Sequence, residues 1–177
     1  MRYFRLMADE RVQHRVEPSS LSRLQVEEVM SVTRSPETQE TSLFLSVYTD
    51  QRTVYPDFLE YPLPLVSDRV KGLLEKYMPE LAWKAAILTD FEQARQEAYW
   101  VLRPPVMDCL SNQSERYPDQ TLKQLVLRQV EGMPPVLRIG GLLEPYIYIH
   151  LSVAESLLRR SLTGIRVERI EMEAREG

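Results

Sequence analysis

The stretch that most constrains the fold is Pro56 to Leu88, PDFLEYPLPLVSDRVKGLLEKYMPELAWKAAIL. It reads as a short extended lead-in, one amphipathic helix and one buried strand. Ser67 is placed to cap the helix, because its hydroxyl can accept from the free N–H groups of the first turn, and Asp68 sits at the positive end of the helix dipole. Pro64 blocks extension backwards and Pro79 ends the helix. Val70, Leu73, Leu74, Tyr77 and Met78 form one apolar stripe, with Arg69, Lys71, Glu75 and Lys76 on the other side. After the helix, Leu81 to Thr89 is apolar on both alternate sets of positions, Lys84 excepted, which predicts a strand covered on most of both faces.

At 177 residues the chain has the size of one ordinary domain, taken here as residues 1–177, and can build a core without disulfide or metal staples. A hydrophobic fraction of 44% and a charged fraction of 27% are those of a soluble globular protein. No apolar run reaches the roughly 20 residues of a membrane helix, and MRYFRLMADERV carries no leader pattern, so a cytoplasmic protein is expected. The single cysteine, Cys109, agrees with a reducing compartment. A net charge of -4 with mixed signs argues against nucleic acid as a partner, since that affinity rests on a clustered basic face.

Arg2 to Met7 predicts a first, edge-like strand and Ser19 to Met30 a short helix whose stripe is interrupted by Gln25 and Glu28. Ser31 to Thr41 reads as an exposed, mobile loop, and Ser42 to Tyr48 as a strand. Strands follow at Glu97 to Arg103, Val106 to Leu110, Thr121 to Val130, Met133 to Ile139 and Pro145 to His150. A helix from Ser152 to Leu162, with a Ser152–Glu155 capping box and Leu158 on its apolar face, ends at Gly164 before a last strand, Ile165 to Met172. The fold class is therefore α+β, a single mixed and mostly antiparallel sheet with two main helices. Val70, Leu73, Leu74, Met78, Leu81 and Trp83 fall without a gap on Ala154, Leu157, Leu158, Leu162, Ile165 and Val167, at an offset of about 84 residues. The capping serines disagree by one position, so this is either a duplicated helix–strand unit or the common look of such units.

Chemistry is sparse. No CxxC, HExxH or acidic calcium loop is present, and no metal or cofactor is expected. Gly140-Gly141 lacks the spacing of a phosphate-binding loop, and a Gly-x-Ser-x-Gly elbow is absent. Cys109 with His14 or His150 is the nearest approach to a nucleophile and base, although a lone Cys beside Val106 and Leu110 reads first as a small core residue. Tyr146, Tyr148 and His150 share one strand face: a small binding surface, the half-wet face of an antiparallel strand, or a face packed under a loop.

Pro56-Asp57-Phe58, then Leu63-Pro64-Leu65-Val66-Ser67 with its helix and strand, Val106-Met107-Asp108-Cys109, and the second Ser–helix–Gly–strand unit at Leu151 to Met172 together resemble bacterial immunity proteins of polymorphic toxin systems. The likeness covers roughly residues 42–172. It implies a non-enzymatic cytosolic protein that binds and neutralises a cognate toxin. The interface is then expected in the proline-rich segment, at Asp50, Tyr55, Asp57, Phe58, Glu60 and Tyr61, because aromatics anchor interfaces and carboxylates attract a basic partner. A self-associating adaptor and a small enzyme with a site near Cys109 or His150 are the competing classes.

Overall fold

In the computed structural model, which describes residues 1–32 and 41–174, Ser67 caps the central helix as its position predicts, its Oγ accepting from the Val70 N–H. The described elements are β1 (Tyr3–Ala8), α1 (Arg23–Met30), β2 (Leu43–Ser46), β3 (Phe58–Leu59), β4 (Leu65–Val66), α2 (Asp68–Tyr77), β5 (Ala82–Asp90), β6 (Arg95–Arg103), β7 (Val106–Met107), β8 (Glu115–Arg116), β9 (Leu122–Gln124), β10 (Val126–Leu127), β11 (Val136–Ile139), β12 (Ile147–His150), α3 (Leu151–Leu158), β13 (Ile165–Arg169) and β14 (Glu171–Met172). The strands form two mixed sheets of five rather than one: β2-β5-β6-β4-β3 and β13-β1-β12-β11-β7. Two-stranded ribbons β8-β9 and β10-β14 accompany them. Pro104 and Pro105 explain the division, because neither can donate to a ladder and the chain leaves the first sheet there for the second.

The two sheets contain the same unit. In the first, β4, α2 and β5 form a strand–helix–strand crossover whose two strands flank the antiparallel β6: Val66 pairs with Trp100, and Trp100 with Ala85. In the second, β12, α3 and β13 flank the antiparallel β1: Ile149 pairs with Phe4, and Phe4 with Arg169. The outer strands agree too, with Phe58 opposite Val66 and Val136 opposite Ile149. Even the bond that seats the cap recurs: the Ser67 N–H donates to the Asp57 carbonyl at 2.9 Å, and the His150 N–H to the Pro135 carbonyl at 2.8 Å. An offset of 83 residues takes Val66 to Ile149 and Ser67 to His150, and 84 takes Ala85 to Arg169. The gapless alignment at 84 therefore holds for the strand after each helix and is one residue out for the helices themselves. The extra residue falls in the turn after α3.

That shift corrects two expectations. The cap of α3 is His150, not Ser152, with Nδ1 accepting from the Ser152 N–H at 3.3 Å. Leu158 consequently leaves the apolar face and is 58% exposed, while Val153 and Leu157 take the places of Val70 and Leu74. The strand that completes the second unit is β1, supplied by the N-terminus. It is internal, between β12 and β13, and not the edge-like strand expected from its mix of aromatic, basic and aliphatic residues. Thr121 to Val130 divides into β9 and β10, and the Ser31–Thr41 loop lies mostly outside the described residues. The last strand breaks at Ile170 into β13 and β14.

The helix-bearing faces of both sheets close on one core, with Leu6, Phe58, Val66, Val70, Leu74, Leu102, Ile147, Ile149, Val153 and Leu157 all buried. Apolar burial of this kind stabilises by about 25 cal/mol per Å². The outer face of the first sheet is covered by α1 and residues near Val16, and that of the second by the segment around Cys109, Leu127 and Met133. Gly164 ties the units together. Its φ of +76° suits glycine, and a Cβ there would lie 2.4 Å from the Pro56 Cβ. Helix α1, expected to begin near Ser19, starts at Arg23 because Ser22 and Gln25 form a capping box, which also accounts for Gln25 interrupting the stripe.

Candidate binding groove

The proline-rich segment divides by function. Asp57 is 8% exposed and acts as a lock: Ser67 Oγ donates to its Oδ1 at 2.7 Å and the Thr163 N–H to its Oδ2 at 2.8 Å, joining the start of α2 to the turn before β13. Phe58 is fully buried in the shared core. Neither side chain is on the surface to anchor a partner. Asp50 closes a turn by accepting from the Arg52 N–H at 2.7 Å, and Tyr55 lies half-buried under the Arg95 guanidinium, 4.4 Å from the ring centroid. Only Glu60 and Tyr61, of the six residues predicted for partner binding, enter one concave site.

That site is a groove of about 580 Å³ where the end of β3 meets the end of β1. Val16, Pro18, Leu59, Tyr61, Pro62 and Tyr146 supply its apolar walls, and Glu10, Glu17, Glu60 and Glu144 its carboxylates. Arg5 stands in it, because alternation along β1 turns Arg5 away from the core that Phe4 and Leu6 enter. Its Nη2 donates to Glu60 Oε1 at 2.5 Å, and its guanidinium lies 3.5 Å from the centroid of the Tyr146 ring. Burial opposes the charge of Arg5, but the hydrogen bond and charge of Glu60, with Tyr146 and Tyr148, hold it above the ordinary arginine value. The other groove arginine, Arg15, donates to the Asp9 carbonyl. Among the described residues Glu10, Glu17 and Glu144 have no ion-pair partner.

The second unit has a counterpart groove of about 390 Å³ at the end of β11. Register carries Glu60 to Arg138, Tyr61 to Ile139 and Pro62 to Gly140, all of which line it. The chemistry is inverted there. Glu60 Oε2 accepts from the Ala8 N–H at 3.3 Å, whereas at the place equivalent to Ala8 stands Pro104, whose carbonyl accepts from Arg138 Nε at 3.2 Å. Proline has no N–H, so only a donor can bind that backbone. Burial, with nearby Arg103, pulls Arg138 below the ordinary arginine value.

Cys109 and His150, considered for catalysis, are otherwise employed. Cys109 is fully buried and burial pushes its thiol up, with Arg128 opposing and Asp108 adding, which disfavours the thiolate. His150 caps α3, its Nδ1 2.9 Å from Ser152 Oγ, with its ring edge-on to Tyr3. Among the described residues no hydrogen bond joins Cys109 to His150. Burial, with Cys109 adding, raises the Tyr3 phenol to about 12, and its hydroxyl donates to the Pro134 carbonyl at 2.9 Å. Of the Tyr146–Tyr148–His150 face, Tyr146 alone lines the groove; Tyr148 is core. No group of three or more His, Cys, Asp or Glu side chains with metal-binding geometry occurs among the described residues, and no described helix is long and apolar enough to cross a membrane.

Sequence reasoning missed Arg5, Glu10, Glu17 and Glu144, which lie up to 139 positions apart and have no local pattern. No family model matches this chain, and no curated protein matches it in sequence.

Proposed function

We propose that this chain is a non-catalytic protein that binds and neutralises a cognate protein toxin, as its resemblance to immunity proteins implies. The observation that carries the reading is the groove at Glu60, Tyr61 and Tyr146: it offers apolar walls and unpaired carboxylates, the makings of a protein-binding surface. The buried, thiol-form Cys109 and the capping His150 support binding over catalysis.

The test is co-expression with the products of the adjacent open reading frames. A neighbouring product that arrests growth alone, is tolerated with this chain and co-purifies with it at one-to-one stoichiometry is the expected result. A neighbour whose toxicity is relieved without any complex would overturn the binding mechanism. Absence of any toxic neighbour or complex would overturn the reading itself.

A further inference from the structure

We infer that the groove between β1 and β3 takes a cationic segment of the partner, an arginine or lysine side chain with its neighbours. This rests on the binding reading above and names the chemistry of the partner. Four glutamates and two arginines line the groove, and Arg5 is already engaged by Glu60, leaving Glu10, Glu17 and Glu144 unpaired around aromatic and proline walls. The site shows how it holds a cation: of its two arginines, Arg15 donates to a backbone carbonyl, while the Arg5 guanidinium is held by a carboxylate on one side and a tyrosine face on the other. The fold does not require this chemistry. In the counterpart groove the position of Glu60 is Arg138 and that of Tyr61 is Ile139, on the same backbone register. An anionic or purely apolar segment would leave three carboxylates facing it uncompensated.

The probe is blocked tetra-arginine peptide, titrated calorimetrically into the full chain at low salt, with blocked tetraglutamate as control. Two triple variants are compared, each removing three charges: Glu10→Gln, Glu17→Gln and Glu144→Gln in the groove, and Glu80→Gln, Glu92→Gln and Glu131→Gln on exposed surface elsewhere. Circular dichroism and thermal melts check that both fold. The inference expects tetra-arginine to bind wild type, tetraglutamate not to bind, and the groove variant to lose about tenfold in affinity while the surface variant loses less than about twofold. Equal losses in both triples would mean attraction to net charge alone and would overturn it, as would no binding to wild type. If a toxin complex is found and its affinity is unchanged in the groove variant, this inference falls while the toxin-binding reading stands. If tetra-arginine binds as expected but no toxin exists, the converse holds.

Discussion

The two units of this molecule share a backbone and disagree at their rims. Val66, Trp100 and Ala85 in one, and Ile149, Phe4 and Arg169 in the other, occupy the same places in three adjacent strands. The seat of the helix cap is the same backbone bond, from Ser67 to Asp57 and from His150 to Pro135. Beyond the core the pairs part: Glu60 against Arg138, Tyr61 against Ile139, Ala98 against Arg2, Ala85 against Arg169. The lesson is that register depends on the buried alternate positions and on backbone bonds, since slipping by one residue would turn the apolar set outward. Rim positions carry no such constraint. A rim feature present in one unit alone is therefore the better guide to what the protein does.

Four substitutions test that division, Tyr61→Ala serving as the paired control for the first and the other three following in decreasing order of effect. Phe58→Ala removes a fully buried ring from the core shared by both units and is expected to lower stability by about 3–5 kcal/mol in urea unfolding. Tyr61→Ala, three residues on at the rim and 63% exposed, is expected to stay within about 0.5 kcal/mol. Comparable losses from both would break the distinction between core and rim.

Asp57→Ala comes next. The first unit has a side-chain lock at the place where the second has Pro135 and only the backbone carbonyl. Losing it strands the Thr163 N–H and is expected to destabilise by about 1–3 kcal/mol, read from the midpoint of denaturation. An unchanged midpoint would show the backbone bond alone suffices in both units. The smallest effect is expected from Ala98→Arg, which writes into the first unit what the second already has at Arg2; a melting temperature within about 2 °C of wild type is expected. A large drop would mean that the exposed face at Ala98 is packed against something the second unit lacks.

The helix from Asp68 to Tyr77, its serine cap, and the long strands β5 and β6 were legible from periodicity, because each side chain's fate there is decided within one or two turns or alternations. The repeated unit showed in the sequence as a register match that could equally have been the common look of helix–strand units, and the match is one residue out for the helices because a turn absorbs the extra position. The division into two sheets was not legible: pairing partners of a strand leave no trace in its own alternation. The edge-like reading of β1 failed for a specific reason. A mix of basic and apolar residues marks an edge, yet Glu60, 55 positions from Arg5, and Tyr146 make an internal place for the Arg5 charge. Asp57 and Phe58, expected at the interface on the strength of the family resemblance, are buried because the chain turns at Pro56 into the space beside Gly164.

By itself, then, the sequence determined most of the local elements and, for α2, the cap and the apolar face, all matters of interactions between near neighbours. Tertiary structure alone decided that the first strand completes the second unit, that His150 caps α3, and that glutamates from three separate segments meet around Tyr61 and Tyr146. The physical reason is range. Helical hydrogen bonding, capping and periodicity act along a few residues of chain, whereas sheet order, burial of a charge and convergence of carboxylates depend on contacts between segments whose sequence separation carries no information about their distance in space.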